Sequence, residues 1–213
     1  AMGVLLALAP TVAQHYGAKD YDAVSKTVHT AIFIALTGGM ILGAFGLIMS
    51  RTFLMWMGSP SDVIDQAARY MRIYFVGLPM LMLYNFGASI LRAVGDTKRP
   101  LYYLIIASVV HIALNLILVI RFKLGVAGVA WATVVSESLS AILVVNCLLH
   151  TQGPCRLYLS KLAVDWGKVG EMMKIGLPAG LQSAVFSISN VLIQSSINSF
   201  GSIAMAGNSA AGN

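Results

Sequence analysis

From Thr27 to Met49 the chain reads TVHTAIFIALTGGMILGAFGLIM, with no acidic residue, lysine or arginine in it. A bilayer's hydrocarbon core is about 30 Å thick, and a helix rising about 1.5 Å per residue crosses it in about 20 residues. This stretch is long enough to cross. Four others match it: Ile73–Leu91, Leu101–Ile120, Gly125–Leu149 and Ile175–Ile197. Glu137 is the only charged residue inside any of the five. Apolar runs of this length must satisfy their own backbone groups in lipid, which a helix does. The chain therefore reads as all-α, a polytopic transmembrane helix bundle.

Composition agrees. Hydrophobic residues make up 58% and charged residues 10%, with mean hydropathy +0.80, where a soluble domain carries about 25% charged residues. The net charge of +6 comes without a basic run or an RNA-type aromatic motif, so no nucleic acid partner is expected. The expected partner is the lipid bilayer, with basic loops on its cytoplasmic side. Cys147 and Cys155 fit neither a disulfide framework nor a zinc pattern, and no metal site is expected. No Ser/His/Asp set, phosphate loop or pair of catalytic acids is present, so the protein is not expected to be an enzyme or to hold a cofactor. The opening run to Ala13 reads as the second half of a helix, and Ser202–Asn213 as the start of another. The expectation is a fragment, completed by the remainder of the same chain.

Lysine and arginine bias gives the orientation. The connections His15–Lys26, Arg92–Pro100 and His150–Lys174 hold nine such residues, against five in Ser50–Arg72 and Arg121–Leu124. The first set is assigned to the cytoplasm. On the outer side, Ser59-Pro60-Ser61-Asp62 predicts an N-cap and a short outer helix feeding the span at Ile73. On the inner side, Asp165 predicts the cap of a helix whose Trp166, Val169, Met172 and Met173 suit the membrane interface. His15, His29 and His150 fall at helix ends, where solvation is expected. Gly39 and Gly43 form a G-x-x-x-G, extended by Gly46, for close helix contact. Pro79 predicts a kink. The eleven methionines are expected to serve as adaptable packing.

One loop is more specific. Arg92-Ala-Val-Gly-Asp-Thr-Lys-Arg-Pro100, following Tyr84-Asn85-Phe-Gly-Ala-Ser-Ile-Leu, resembles the signature cytoplasmic loop of the multidrug and toxic compound extrusion (MATE) family. Ala13-Gln-His-Tyr-Gly-Ala-Lys-Asp20 looks like that family's loop after its second helix. Gly125-Val-Ala-Gly-Val-Ala-Trp-Ala-Thr133 looks like the start of its sixth, and Gly176-Leu-Pro178 like the start of its seventh. The resemblance implies residues from late helix 2 to the start of helix 8 of a twelve-helix transporter built of two six-helix lobes. Residues 1–149 would then belong to the first lobe, 150–174 to the cytoplasmic connection with its interfacial helix, and 175–213 to the start of the second lobe. It further implies efflux of small organic, often cationic compounds by antiport against a proton or sodium gradient, in a multi-pass protein of the plasma membrane, here a bacterial inner membrane. Within the loop, Gly95 permits a turn, Asp96 can bond backbone amides two residues on, and Arg92, Lys98 and Pro100 complete a structural clamp.

Polar groups at membrane depth are the site candidates, since an ionised acid there costs about 2.5–3.5 kcal/mol. Glu137 lies about 18 Å along its span. It reads either as a cation-coupling or substrate-cavity group or as a neutral acid bonded to a neighbouring helix. His111 and Asn115, four apart, share a helix face. In proton-coupled relatives this stretch resembles Asn-x-x-x-Asp, so here the carboxylate is missing. His111 either titrates or bonds a backbone carbonyl. Asn85 matches a polar position lining the first-lobe cavity in relatives. Gln182, Ser189 and Asn190 form a stripe that Gln194 and Asn198 continue. The sodium-coupled branch carries a glutamate on this helix, where Phe186 stands here. The titratable pair Glu137 and His111 favours the proton. Alternatives are a lipid-linked saccharide flippase, which would need a more cationic cavity than spans without Arg or Lys supply, a truncated protein that moves nothing, and a membrane scaffold or receptor.

Overall fold

A computed structural model describes residues 2–60 and 62–211. Its described residues form helices and connections only. In order these are α1 (Met2–Gly17), α2 (Tyr21–Trp56), α3 (Ile64–Ala93), α4 (Lys98–Asn115), α5 (Val126–His150), α6 (Trp166–Asn198) and α7 (Ser202–Ala211). Six residues after α4, Leu116–Arg121, continue it in π-helical turns. Leu159–Lys161 forms one short 3₁₀ turn. By length and composition five helices can cross a membrane: Tyr21–Trp56, Ile64–Ala93, Lys98–Arg121, Val126–His150 and Trp166–Asn198. They contain the five apolar stretches except for Gly125, which caps α5.

Helix α2 packs on α3 through the predicted glycines. A Cβ on Gly39 would sit 2.6 Å from Pro79 Cα, and one on Gly43 would sit 2.8 Å from the Phe75 carbonyl oxygen. That carbonyl is the one Pro79 cannot reach, because proline lacks the N–H that would bond four residues back. The orphaned acceptor therefore lies against a backbone with no side chain in the way. Helix α3 packs in turn on α5, α4 on α5, and α1 on α6. Leu8, Val12, Val28, Phe86, Ile90, Val144, Leu148, Leu157 and Met172 form one fully enclosed core. It draws on α1, α2, α3, α5, α6 and the 150–165 connection, and so gathers the chain at the end assigned to the cytoplasm.

Three expectations are corrected. No separate helix forms at Ser59–Asp62, where Ser61 lies outside the described residues. The amides of Val63 and Ile64 both donate to the Pro60 carbonyl, and α3 starts at Ile64 without a side-chain cap. It then runs unbroken into the span, with Asp65 in its first turn suited to the positive end of the helix dipole. The interfacial helix is likewise not a separate element. Asp165 does cap it, its Oδ1 accepting from Lys168 N at 3.1 Å, but the helix continues to Asn198. Pro178 removes one internal hydrogen bond, which does not end a helix of this length. Finally, His29 is not solvated. It is 4% exposed, because the chain near Tyr158 folds over it. Of the terminal Ser202–Asn213 stretch, Ser202–Ala211 is helical as α7, and Gly212 and Asn213 lie outside the described residues.

The signature loop is a helix stop followed by a helix start. Gly95 takes φ +90°, open to glycine at little cost. Its N–H donates to the Arg92 carbonyl at 3.1 Å, and that of Asp96 to Leu91 at 3.0 Å. The pair of bonds makes a Schellman motif that satisfies the last carbonyls of α3. Asp96 Oδ1 then accepts from Arg99 N at 3.2 Å, three residues on rather than two. The Arg99 guanidinium donates to Thr151 Oγ1 at 3.3 Å, tying the loop to the end of α5. Tyr84 donates to the Pro100 carbonyl at 3.4 Å, closing the clamp from α3.

Candidate functional site

The spacing of small polar residues on α5 sets up one wall of an open cleft between α3, α4 and α5. Thr133, Ser136, Glu137 and Ser140 recur at three- and four-residue steps and so share one helix face. Each hydroxyl turns back on its own helix: Thr133 donates to Val129 O, Ser136 to Thr133 O and Ser140 to Glu137 O. They are thus satisfied locally while keeping lone pairs open to the interior. Opposite them α4 presents Leu104, Ala107, Ser108 and His111, and α3 presents Leu81, Tyr84 and Asn85. Together these residues line a cavity of about 240 Å³. Asn85 Nδ2 donates to the Leu81 carbonyl at 2.9 Å, leaving its carbonyl oxygen free for another partner.

The structure therefore brings three candidates, Asn85, His111 and Glu137, into one cavity. The Glu137 carboxyl makes no hydrogen bond and no ion pair among the described residues, so no neighbouring helix holds it. His111 bonds side chains rather than a backbone carbonyl. Its Nε2 lies 3.2 Å from Thr133 Oγ1 and 3.1 Å from Asn115 Nδ2. Asn115 reaches the cavity only through this ring, and its Oδ1 is buried with no partner.

The chemistry of that triplet depends on one proton. With Nε2 unprotonated, it accepts from Asn115 Nδ2, as the geometry shows, and the amide oxygen stays unmatched. With Nε2 protonated, it becomes a donor. Thr133 Oγ1, whose own proton goes to Val129, can then accept, and Asn115 can accept once its amide turns over. A buried acceptor without a partner costs about 1–3 kcal/mol. The triplet can thus exchange donor and acceptor roles by a turn of one amide.

Gln182 and Asn190 are not brought to this cavity. Both lie on exposed faces of α6. Gln194 instead donates to Asn198 Oδ1 at 2.9 Å, and buried Asn198 donates to the Met57 carbonyl at 2.9 Å, fastening α6 to the end of α2. The sequence reading passed over Ser108, Ser136 and Ser140 as lining residues. On α5 their three- and four-residue spacing with Glu137 was the available signal.

Comparison with known proteins places this chain in a family. The family model MatE matches residues 1–117. The probable multidrug resistance protein YoeA of Bacillus subtilis (strain 168) is 31% identical over 202 residues, covering 92% of this chain and 44% of that protein. The probable multidrug resistance protein YpnP of the same organism is 29% identical, covering 97% and 46%. The chain thus spans less than half the length of these relatives. Among solved structures, the outward-facing conformation of a multidrug resistance MATE family transporter of the MOP superfamily superposes with TM-score 0.81 at 22% identity, over 88% of this chain and 42% of that one. Five membrane-length helices, the order of their connecting motifs and the family match agree, and the chain belongs to the MATE family of multi-pass membrane proteins.

Proposed function

We propose that the complete protein exports small organic, often cationic compounds, driven by a proton or sodium ion moving inward, through alternating access between two lobes. Residues 1–149 supply most of the first lobe, 150–174 the connection and 175–213 the start of the second. The relatives named above are called multidrug resistance proteins, which supports this substrate class. The carrying observation is that Glu137, His111 and Asn85 line one cavity in a chain otherwise stripped of charge at membrane depth. Ionisable groups in that setting mark ion and substrate pathways. The titratable pair favours the proton as coupling ion, acting in a bacterial plasma membrane.

Opposed lobes around a shared site are what alternating access needs. The test is Glu137→Gln in the full-length protein, reconstituted in proteoliposomes with an imposed pH or sodium gradient. Gradient-driven dye efflux should fall at least tenfold while dye binding persists. Undiminished efflux removes Glu137 from the coupling step.

A further inference from the structure

Three ionisable side chains meet where α1 ends and α6 begins. His15 Nε2 lies 2.8 Å from Glu171 Oε2. Lys168 Nζ donates to both oxygens of the same carboxylate, at 2.9 and 3.0 Å. A carboxylate only accepts, so the short approach requires the proton of His15 to sit on Nε2. Lys168 Nζ is also 3.2 Å from that nitrogen, but a protonated Nε2 cannot accept from it, and the lysine is directed at Glu171. The carboxylate therefore gathers charge-assisted bonds from a ring on α1 and an ammonium on its own helix.

Position makes the cluster informative. Helix α6 packs mainly on α1. Just before it begins, the connection is held to α2: Thr30 Oγ1 accepts from Asp165 N at 3.1 Å, and Tyr158 N donates to His29 Nε2 at 3.0 Å. Glu171 lies six residues beyond Asp165, about 9 Å along the helix. A movement of α6 away from α1 would thus have to break the short contact between His15 and Glu171. The side chains of His15 and Lys168 are 20% and 13% exposed, and that of Glu171 is 44% exposed. Water therefore reaches the carboxylate and can take over its bonds when the contact parts, so the link can break without leaving a charge dry. Among the described residues, this is the charged contact that joins α6 to another helix.

We infer that His15, Lys168 and Glu171 form a latch that holds the cytoplasmic end of the α1–α6 seam closed and must part before the cavity between the lobes opens inward. The inference rests on the two-lobe reading above, with α1 in the first lobe and α6 opening the second.

The test uses the full-length transporter with Cys147→Ser and Cys155→Ala. Spin labels at Gln14→Cys and Lys174→Cys report the width of the seam. Glu171→Gln should raise the wide-distance population at least threefold, whereas Glu171→Asp should leave it near the parent value. Separately, His15→Cys with Glu171→Cys, joined by a bifunctional methanethiosulfonate, should lower dye efflux at least tenfold, restored by reductant. An unchanged distance distribution in Glu171→Gln overturns the latch, and so does full efflux from the cross-linked protein. Failure of the unmodified protein to export dye would count against the export reading alone, because the label distances still decide whether the latch exists.

Discussion

The backbone N–H of Tyr158 donates to His29 Nε2 across 3.0 Å, and His29 Nδ1 in turn donates to the Ser25 carbonyl at 2.7 Å. One buried ring thereby fixes its own tautomer and ties residues far apart in the chain. The Tyr158 ring lies parallel to it, 7° between planes, and carries Arg156 and Lys161 each 5.1 Å from its centre. Replacing His29 with Ala or Phe strips the Tyr158 amide of its acceptor. The expected cost is about 1–3 kcal/mol, read as a lower Tm in detergent and faster proteolysis within 156–161. The Phe variant fills the space without restoring the bond. If Phe behaves as wild type while Ala does not, packing rather than the hydrogen bond holds the connection.

The same connection encloses Cys155, which is 3% exposed. Burial pushes its thiol up to about 11 from an ordinary 9.0. The neutral form is the one the fold favours, so this contribution to stability is complete below pH 9 and is lost as the pH climbs through about 11. At pH 8 the thiolate fraction should be about a hundredfold below that of an ordinary cysteine. Maleimide labelling of Cys155 in a Cys147→Ser background should therefore be slow at pH 8 and speed up once His29→Ala loosens the cover. Rapid labelling of the parent at pH 8 would contradict this burial.

Some of this structure was legible in the chain and some was not, for physical reasons. An uncharged stretch such as Thr27–Met49 has one solution in lipid, so the spans followed from length alone. Gly39 and Gly43 announced a close approach, but their spacing does not name the partner, and Pro79 with Phe75 emerged only from the fold. His29 looked solvated because its cover arrives from residue 158, a distance no local pattern encodes. The π-helical turns after Asn115 left no compositional trace. On α6, polarity at Gln182 and Asn190 suggested an inward stripe, yet polar residues on a helix do not say which neighbour they await. His111, Asn85 and Glu137 stood out as candidates because buried polarity in a membrane is costly wherever it lies.

The Gly39–Pro79 contact makes a sharp steric prediction. A methyl group on Gly39 would sit 2.6 Å from backbone Cα of Pro79, and backbone cannot rotate aside as a side chain can. Gly39→Ala should force α2 and α3 apart at a cost of about 1–3 kcal/mol. Gly38→Ala, with nothing within 4 Å of its added Cβ, is the control. Equal thermal stability of the two variants would place the helices differently.

The signature loop should fail in two distinguishable ways. Gly95→Ala forces a side chain into φ +90°, a backbone strain of about 1–3 kcal/mol. Asp96→Ala instead removes the acceptor for Arg99 N, a capping loss of about 0.5–2 kcal/mol. Asp96→Asn keeps an oxygen for that amide and should recover most of the loss, whereas the exposed charge pair with Arg99, 3.3 Å long, adds little. Thermal unfolding of the three variants separates cap from charge: an Asn variant as unstable as Ala would assign the effect to the ion pair.

His111 and Thr133 supply the last prediction, because their contact is the one that links α4 to α5 beside Glu137. Thr133 gives its proton to Val129, so it serves His111 as an acceptor. Thr133→Val removes that acceptor while keeping the shape of the side chain. A hydrogen bond of this kind contributes about 1 kcal/mol, so efflux by the full-length protein should fall roughly fivefold. In His111→Ala the partner is gone, so adding Thr133→Val should change efflux no further, the non-additivity expected of two groups acting as one. Additive losses across the pair would show that Thr133 and His111 act through separate contacts.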